Sequence, residues 1–475
     1  MDKPTFTPTP EQRHILDLLH NCKDNLLINA FAGTGKTSTL ELIQNAATPP
    51  VLCLAFNRRI ADEMSKRFRS TTTVRTLNGL GHRIWASACS GRLTLDTKKT
   101  PDLLREEIKT LTKSEKDEAY DSFWEILSAV ALAKALGYIP EGKFPNAKRL
   151  IEAESFFGHL EEAPSPLSIY LINAVLLSSI RAAYAGSIDF NDQVYMPALF
   201  GGTYPKFPLV LVDEAQDLSP VNHEILNHLS RSRIIAVGDP FQSIYGFRGA
   251  VQSGMSKLKA HFSMTEADLS VSFRCPEAVV RNAQWRVPKM SWHKPGGLVG
   301  HLRNPTSSSF PDGAAIICRN NAPLFALALR LLSSGRSVSV SGSDIGPKII
   351  SILSKLGPDN LPKESVYAAI ETWRQEKLAK QSQTASDIAE CMRVFAGYGD
   401  NLLQAVTYAQ HLFKQSGSLQ LLTGHKSKGL EWEYVYHLDP WLIGESEQEH
   451  NLRYVIQTRA LSTYYEIESK EIIFQ

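Results

Sequence analysis

At 475 residues the chain is too long for one hydrophobic core, and about three or four structural units are expected. Hydrophobic residues make up 43% and charged residues 21%, an ordinary balance for a soluble globular protein. The formal net charge of +2 excludes any argument for a nucleic-acid partner from overall charge, so a basic surface has to be local. The six cysteines (Cys22, Cys53, Cys89, Cys275, Cys318, Cys391) stand too far apart for metal-ligand or redox-pair spacing. They argue against an iron–sulfur cluster and for buried small side chains in a reducing compartment. The N-terminal segment has no apolar core of a signal peptide, and the longest apolar stretch, Ile169 to Leu177, is too short to span a bilayer. No membrane partner is expected, and the expected location is the cytoplasm.

In chain order, the first element is an apolar strand, Leu26–Asn29, feeding Ala30-Phe31-Ala32-Gly33-Thr34-Gly35-Lys36-Thr37 and then a helical stretch, Ser38 to Gln44. Strand, glycine-bearing loop and helix together make a phosphate cradle, because successive backbone N–H groups at a helix N-terminus wrap a phosphate chain. Ala32, Gly33, Thr34 and Gly35 supply the loop, Lys36 a charge for the β- and γ-phosphates, and Thr37 a hydroxyl for Mg²⁺. Ala30 stands where the usual pattern has its first glycine. A second strand, Val51–Phe56, precedes a segment rich in arginine and lysine, Arg58 to Arg83, whose charge alone reads as a solvated helix face.

From about Gly91 to Asp189 no strand signal appears, and the mixed-charge pattern predicts an all-helical insertion. Strand Leu209–Val212 then ends in Asp213-Glu214-Ala215-Gln216-Asp217. Asp213 is placed to hold Mg²⁺, and Glu214 to orient and deprotonate an attacking water. After a phosphate cradle, this pair points to a hydrolysing nucleoside triphosphatase that uses Mg²⁺. Strand Ile234–Gly238 leads to Gln242, positioned to sense a γ-phosphate, and to Tyr245, Phe247 and Arg248. Those three read either as a base-stacking platform with a phosphate contact or, by spacing alone, as ordinary core aromatics.

The second half repeats the alternation with strands Ala314–Cys318, Val338–Ser341, Leu419–Thr423 and Tyr434–Leu438. The architecture is therefore α/β with two parallel sheets. A shorter helical stretch, about Gly357 to Lys414, reads as an insertion in the second half. The expected division is 1–90 with 190–265 as a first lobe, 91–189 as its insertion, 266–356 with 415–475 as a second lobe, and 357–414 as a reduced insertion. Trp85, Trp124, Trp285, Trp292 and Trp373 read as core or interface residues, and Lys426 and Lys428 equally as phosphate contacts or solvated charges.

Asp213–Asp217 and Gly238-Asp239-Pro240-Phe241-Gln242-Ser243-Ile244-Tyr245-Gly246-Phe247-Arg248-Gly249-Ala250 resemble motifs II and III of the UvrD/Rep-type superfamily 1 DNA helicases. Other segments resemble the remaining motifs in order: Thr9–Gln12, Leu54–Arg58, Leu269–Arg274, Thr423–Trp432 and Leu452–Ala460. The wording is closest to the F-box DNA helicase branch, without an F-box. The resemblance implies two RecA-like lobes and ATP-driven 3′-to-5′ movement on single-stranded and partially duplex DNA, in a nucleoid-associated setting. It implies that Gln12 reads the adenine edge, that Phe273 stacks on its face and that Glu431 lies near the ribose. Arg274 and Arg459 would be arginine fingers, and Phe56, Asn57, Arg75, Tyr245, Phe247, Arg248 and His425 would line the strand. Arg75 stands where the family usually has a histidine, and Phe247 where it often has a tryptophan. The short second insertion suggests an alternative, a translocase that displaces bound proteins with little unwinding. A nucleotide-switched DNA-binding module is a further alternative. Protein partners are not indicated.

Overall fold

The computed structural model describes residues 7–89, 92–142, 144, 147–160, 163–246, 254–341, 345–379, 382 and 384–474. They form two compact units, Met1–Phe31 with Gly35–Leu269, and Ala32–Thr34 with Ser270–Gln475.

The first unit is built on strands β1 (Leu26–Ala30), β2 (Val51–Ala55), β3 (Thr72–Thr76), β6 (Leu209–Val212), β7 (Arg233–Gly238) and β8 (Thr265–Leu269), with the two-residue strands β4 (Thr94–Leu95) and β5 (Ser187–Ile188) set apart. The six long strands form one sheet of order β3-β2-β6-β7-β1-β8, parallel throughout. Central strands such as Leu-Val-Leu-Val of β6 are buried along their whole length because helices cover both faces. The two strands not anticipated from the sequence, β3 and β8, are the edges of the sheet, and neither is buried along its whole length. An edge strand is only partly covered, so its composition stays polar and the apolar-run signal fails. β8 also carries the first unit to Leu269, past the boundary expected at 265.

The stretch from 91 to 189 is mostly helical, but β4 and β5 pair in parallel within it, which corrects the expectation of no strand there. Its helix Pro166–Tyr184 is 19 residues long and apolar enough to cross a membrane by length and composition, where the sequence had offered only a short apolar stretch. One face, including Leu171, Val175, Leu176 and Ile180, packs into the core of the first unit. Under that core lies an ionic knot. Lys99 Nζ reaches Asp192 Oδ2 at 2.6 Å, and Lys134 Nζ reaches Asp189 Oδ2 at 2.6 Å and Asp192 Oδ1 at 2.8 Å. The two lysines also donate to Ser179, through its carbonyl and its hydroxyl.

In the second unit, β9 (Val271–Pro276) and β10 (Ser291–Lys294) make a parallel pair. Strands β11 (Leu298–His301), β12 (Ala315–Cys318), β13 (Val338–Val340), β14 (Leu419–Thr423), β15 (Trp432–Leu438) and β16 (Ala460–Ile467) form a six-stranded parallel sheet of order β11-β16-β15-β12-β14-β13. Helices Lys363–Ala379, Ala385–Tyr398 and Leu402–Leu412 occupy the stretch from 357 to 414. Their apolar faces, with Val366, Ile370, Met392, Phe395 and Leu412, belong to the same core as Ile316 of β12 and Phe325 of the helix Asn321–Ser333.

Trp85 is buried and donates from its indole to the Ala183 carbonyl, while Trp124 and Trp285 are exposed, which corrects only the core half of their reading as core or interface residues. Among the described residues all six cysteines are free thiols, and Cys53, Cys275, Cys318 and Cys391 are buried.

Candidate functional site

In a parallel sheet every strand ends on the same edge, and ligands collect there. The pairings Asn29↔Gly238 and Val212↔Ala236 bring the ends of β1, β7 and β6 side by side. The phosphate-cradle loop leaves β1, Asp213 follows β6, and Asp239 follows β7, so the chemistry expected from three distant segments meets on one edge of the first unit.

The loop has the backbone that the cradle requires. Gly33 and Gly35 take φ of +74° and +83°, a left-handed region that side chains with a Cβ avoid. Gly35 opens the helix Lys36–Ala46 with no side-chain cap, and the N–H groups of a helix N-terminus suit an anion. Lys36 Nζ lies 3.3 Å from Glu214 Oε2. Asp213 is 4% exposed, and its Oδ1 has no hydrogen-bond partner. Burial and the neighbouring Glu214 charge push its carboxyl above the usual carboxylate range, against the pull of Lys36. A buried carboxylate oxygen with no donor fits a divalent cation, so Asp213 and the half-buried Thr37 are a chemically apt pair for Mg²⁺. Glu214 holds a left-handed backbone, φ 50° and ψ 46°, which is uncommon for a residue with a side chain and typical of constrained functional turns.

Gln12 is 1% exposed and already committed within the first unit. Its Oε1 accepts from Thr9 N–H at 3.0 Å in a capping box, and its Nε2 donates to Thr39 Oγ1 at 3.0 Å. Gln242 is buried and donates to Asp239 Oδ2 at 2.7 Å.

Phe56 stands 46% exposed at the end of β2, and Asn57 beside it caps the helix Arg58–Arg67, accepting from Ile60 N–H. Arg75 is exposed on β3 and Tyr245 is half-buried. Phe247 and Arg248 lie outside the described residues. Phe190 was missed by the sequence reading. It is 61% exposed, and its carbonyl accepts from Asn78 Nδ2 near the start of the helix after β3. An aromatic flanked by Ile188, Asp189 and Asn191, just after a helical stretch, gave no periodic signal.

In the second unit, Arg274 Nε pairs with Glu431 Oε2 at 2.6 Å, so two residues assigned separate roles are joined. Arg459 is 1% exposed and donates to the carbonyls of Val455 and Leu430 and to Thr458 Oγ1. Phe273 packs its ring 5.0 Å from that of His293, a neighbour the sequence did not suggest. His425 is half-buried in the turn after β14, and the adjoining Lys426 donates to the Ser341 carbonyl. Ala32–Thr34 group with this unit: Ala32 N–H donates to the Tyr454 hydroxyl at 3.0 Å, and Phe273 N–H to the Gly33 carbonyl at 2.8 Å. Tyr454 was not singled out in the sequence.

Residues 9–154 and 188–263 match the family described as UvrD/REP helicase N-terminal domain. The F-box DNA helicase protein 1 of Schizosaccharomyces pombe is 23% identical over 503 residues, covering 95% of this chain and 56% of that protein. DNA helicase IV of Escherichia coli K12 is 27% identical over 308 residues, 54% of this chain and 43% of its own. The ATP-dependent DNA helicase PcrA of Leuconostoc citreum is 27% identical over 305 residues, 57% of this chain and 39% of its own. The chain thus spans about half the length, or less, of these relatives.

Proposed function

We propose that this chain, which belongs to the UvrD-like superfamily 1 helicases, hydrolyses ATP to move 3′-to-5′ along single-stranded DNA. The observation that carries the ATPase half is the set Lys36, Asp213 and Glu214 on one sheet edge, with a carboxylate oxygen of Asp213 buried and unpartnered. In this reading the loop Ala32–Gly35 and Lys36 hold the phosphates, and Thr37 and Asp213 hold Mg²⁺. The bound ion would neutralise phosphate charge. Glu214 takes the proton of the attacking water, and Arg274 and Arg459 are assigned to charge that develops on the transferring phosphoryl group. Gln12, Phe273 and Glu431 are assigned to the nucleoside. The strand is assigned to Phe56, Asn57, Arg75, Tyr245, Phe247, Arg248 and His425, and the exposed Phe190 suits the same role. Cytoplasmic, nucleoid-associated work on single-stranded and partly duplex DNA goes with this reading.

A second reading, displacement of bound proteins with little unwinding, is favoured by one observation. The helices from 363 to 412 spend their apolar faces on the core of their own unit, which supports reading them as a reduced insertion without a core of its own. Strand displacement on 3′-tailed and 5′-tailed duplexes, beside ATP turnover with and without single-stranded DNA, tests both. Unwinding of the 3′-tailed substrate supports the helicase. DNA-stimulated turnover without unwinding supports the stripping translocase. Turnover indifferent to DNA rejects both.

A further inference from the structure

We infer that Gln216 is a positioning residue for hydrolysis, its side-chain amide setting the Glu214 carboxylate against the turn that begins at Asp239. The inference rests on the ATPase reading above and deepens it. Gln216 is 1% exposed. Its Nε2 donates to Glu214 Oε2 at 2.5 Å, and its Oε1 accepts from Asp239 N–H at 3.0 Å. A side-chain amide carries an uncharged donor and an acceptor on two separate atoms at one tip, which suits the two partners it joins.

The surroundings are shaped around this amide. A Cβ on Gly238 would lie 2.4 Å from Gln216 Oε1, 3.0 Å from Met255 Sδ and 3.1 Å from Ala215 N, so a side chain there would displace the amide from its place at the end of β7. From Asp239 the chain of bonds continues. Its carboxylate accepts from Phe241 N–H at 3.0 Å and from Gln242 Nε2 at 2.7 Å, while Ser243 Oγ donates back to the Gln216 carbonyl at 3.3 Å. Glu214 is therefore tied on one side to Lys36 and on the other, through Gln216, to the whole turn Asp239–Ser243.

When a nucleotide draws Lys36 toward its phosphates, the Gln216 bond still holds the Glu214 carboxylate. In the step it serves, a water oxygen bonds the γ-phosphorus and the bond from that phosphorus to the bridging oxygen breaks. ADP leaves with the bonding electron pair, and the water's proton passes to Glu214. A general base displaced by about 1 Å loses on the order of 10²-fold in rate, so the amide's effect falls on kcat and not on nucleotide binding.

The experiment is steady-state ATP turnover of the full chain with single-stranded DNA, comparing wild type, Gln216→Glu and Gln216→Met, with thermal melting as the check on folding. Gln216→Glu keeps an acceptor for Asp239 N–H and sets a like charge against Glu214, whereas Gln216→Met keeps the volume and neither bond. Both are expected to lower kcat by about 10- to 100-fold with KM for ATP within about threefold of wild type. Gly238→Ala, which pushes the amide aside without changing it, is expected to give the same split, and it decides the matter if a Gln216 variant fails to fold. A folded variant with wild-type kcat, or one whose kcat/KM loss lies in KM, overturns the inference while the ATPase reading stands. A wild type without turnover removes the ATPase reading, and this inference with it.

Discussion

Two buried ionic clusters of the first unit obey opposite rules. In the helical stretch, Lys99, Lys134, Asp189 and Asp192 are all under 9% exposed, and each charge meets an opposite charge within 2.8 Å. At the sheet edge Asp213 is as deeply buried, and its Oδ1, like Asp192 Oδ1, has no hydrogen-bond partner; but Asp192 Oδ1 faces the Lys134 ammonium at 2.8 Å, whereas burial and the Glu214 charge beside Asp213 raise its proton affinity. The first cluster is closed in charge: two cations cancel two anions, each carboxylate having an ammonium within 2.8 Å. The second is open, and a cation and phosphates would complete it. Buried charge fixes the register of helices where its partners are all supplied, and it marks a site where one partner is withheld.

The contrast breaks most sharply at the open cluster. Glu214→Gln and Lys36→Ala are expected to lower DNA-stimulated ATP turnover by about 10²–10⁴-fold, because each removes a group acting on the reacting phosphate or its water. Asp213→Asn is expected to abolish turnover comparably while leaving the melting temperature unchanged or higher, since it removes a buried charge whose partner is absent. A marked fall in melting temperature with normal turnover would make Asp213 a structural residue and erase the distinction between the clusters.

At the closed cluster the effect moves from activity to stability. Lys134→Ala leaves Asp189 and Asp192 facing each other with one ammonium in place of two. The expected loss is about 3–5 kcal/mol in denaturant unfolding, the range for stranding a buried charge. Turnover per folded molecule at low temperature is expected to stay near wild type. A loss under about 1 kcal/mol would show that the knot is no tighter than a surface pair.

The two clusters also differed in how readily the sequence revealed them. Lys36, Asp213 and Glu214 were legible because each follows an apolar strand, and a parallel sheet sends all such residues to one edge. Gln216 was not, because the glutamine two residues past Glu214 reads like any turn residue until Gly238 and Asp239 are brought beside it. Lys134 was equally hidden. Its helix, Phe123–Leu136, is apolar nearly all round, and a lysine there reads as a solvent-facing break. The usable signal was that an all-round apolar helix is buried, so its lysine needs acids, and Asp189 and Asp192 are spaced to share one. Edge strands β3 and β8 escaped for the complementary reason, that a partly covered strand carries too few apolar residues to announce itself. Arg459 was found as a residue, but its burial against the carbonyls of Val455 and Leu430 was not, since a guanidinium reads as exposed by default.

The smallest expected effect is on pH dependence, and it has a definite sign. Burial pushes the Asp189 carboxyl up, but the Lys134 charge and hydrogen bonds from Lys134, Thr100 and the Asp192 amide outweigh it and hold the group at about 2, below the ordinary 3.8. A carboxyl depressed in the folded state contributes stability that is fully present above its unfolded value and disappears as pH falls through its folded value. The contribution, about 2 kcal/mol, should therefore vanish between pH of about 4 and about 2. Asp213, raised in the folded state, works the other way: acidification from its folded value toward the ordinary carboxylate range protonates it first in the folded chain and favours folding. Urea unfolding of wild type, Asp189→Asn and Asp213→Asn across this range separates the two slopes. Asp189→Asn should flatten the acid-side fall, and Asp213→Asn should remove an opposing rise at higher pH. If both substitutions changed the curve in the same direction, the closed and open clusters would be electrostatically alike, and the open carboxylate would lose its standing as a cation site.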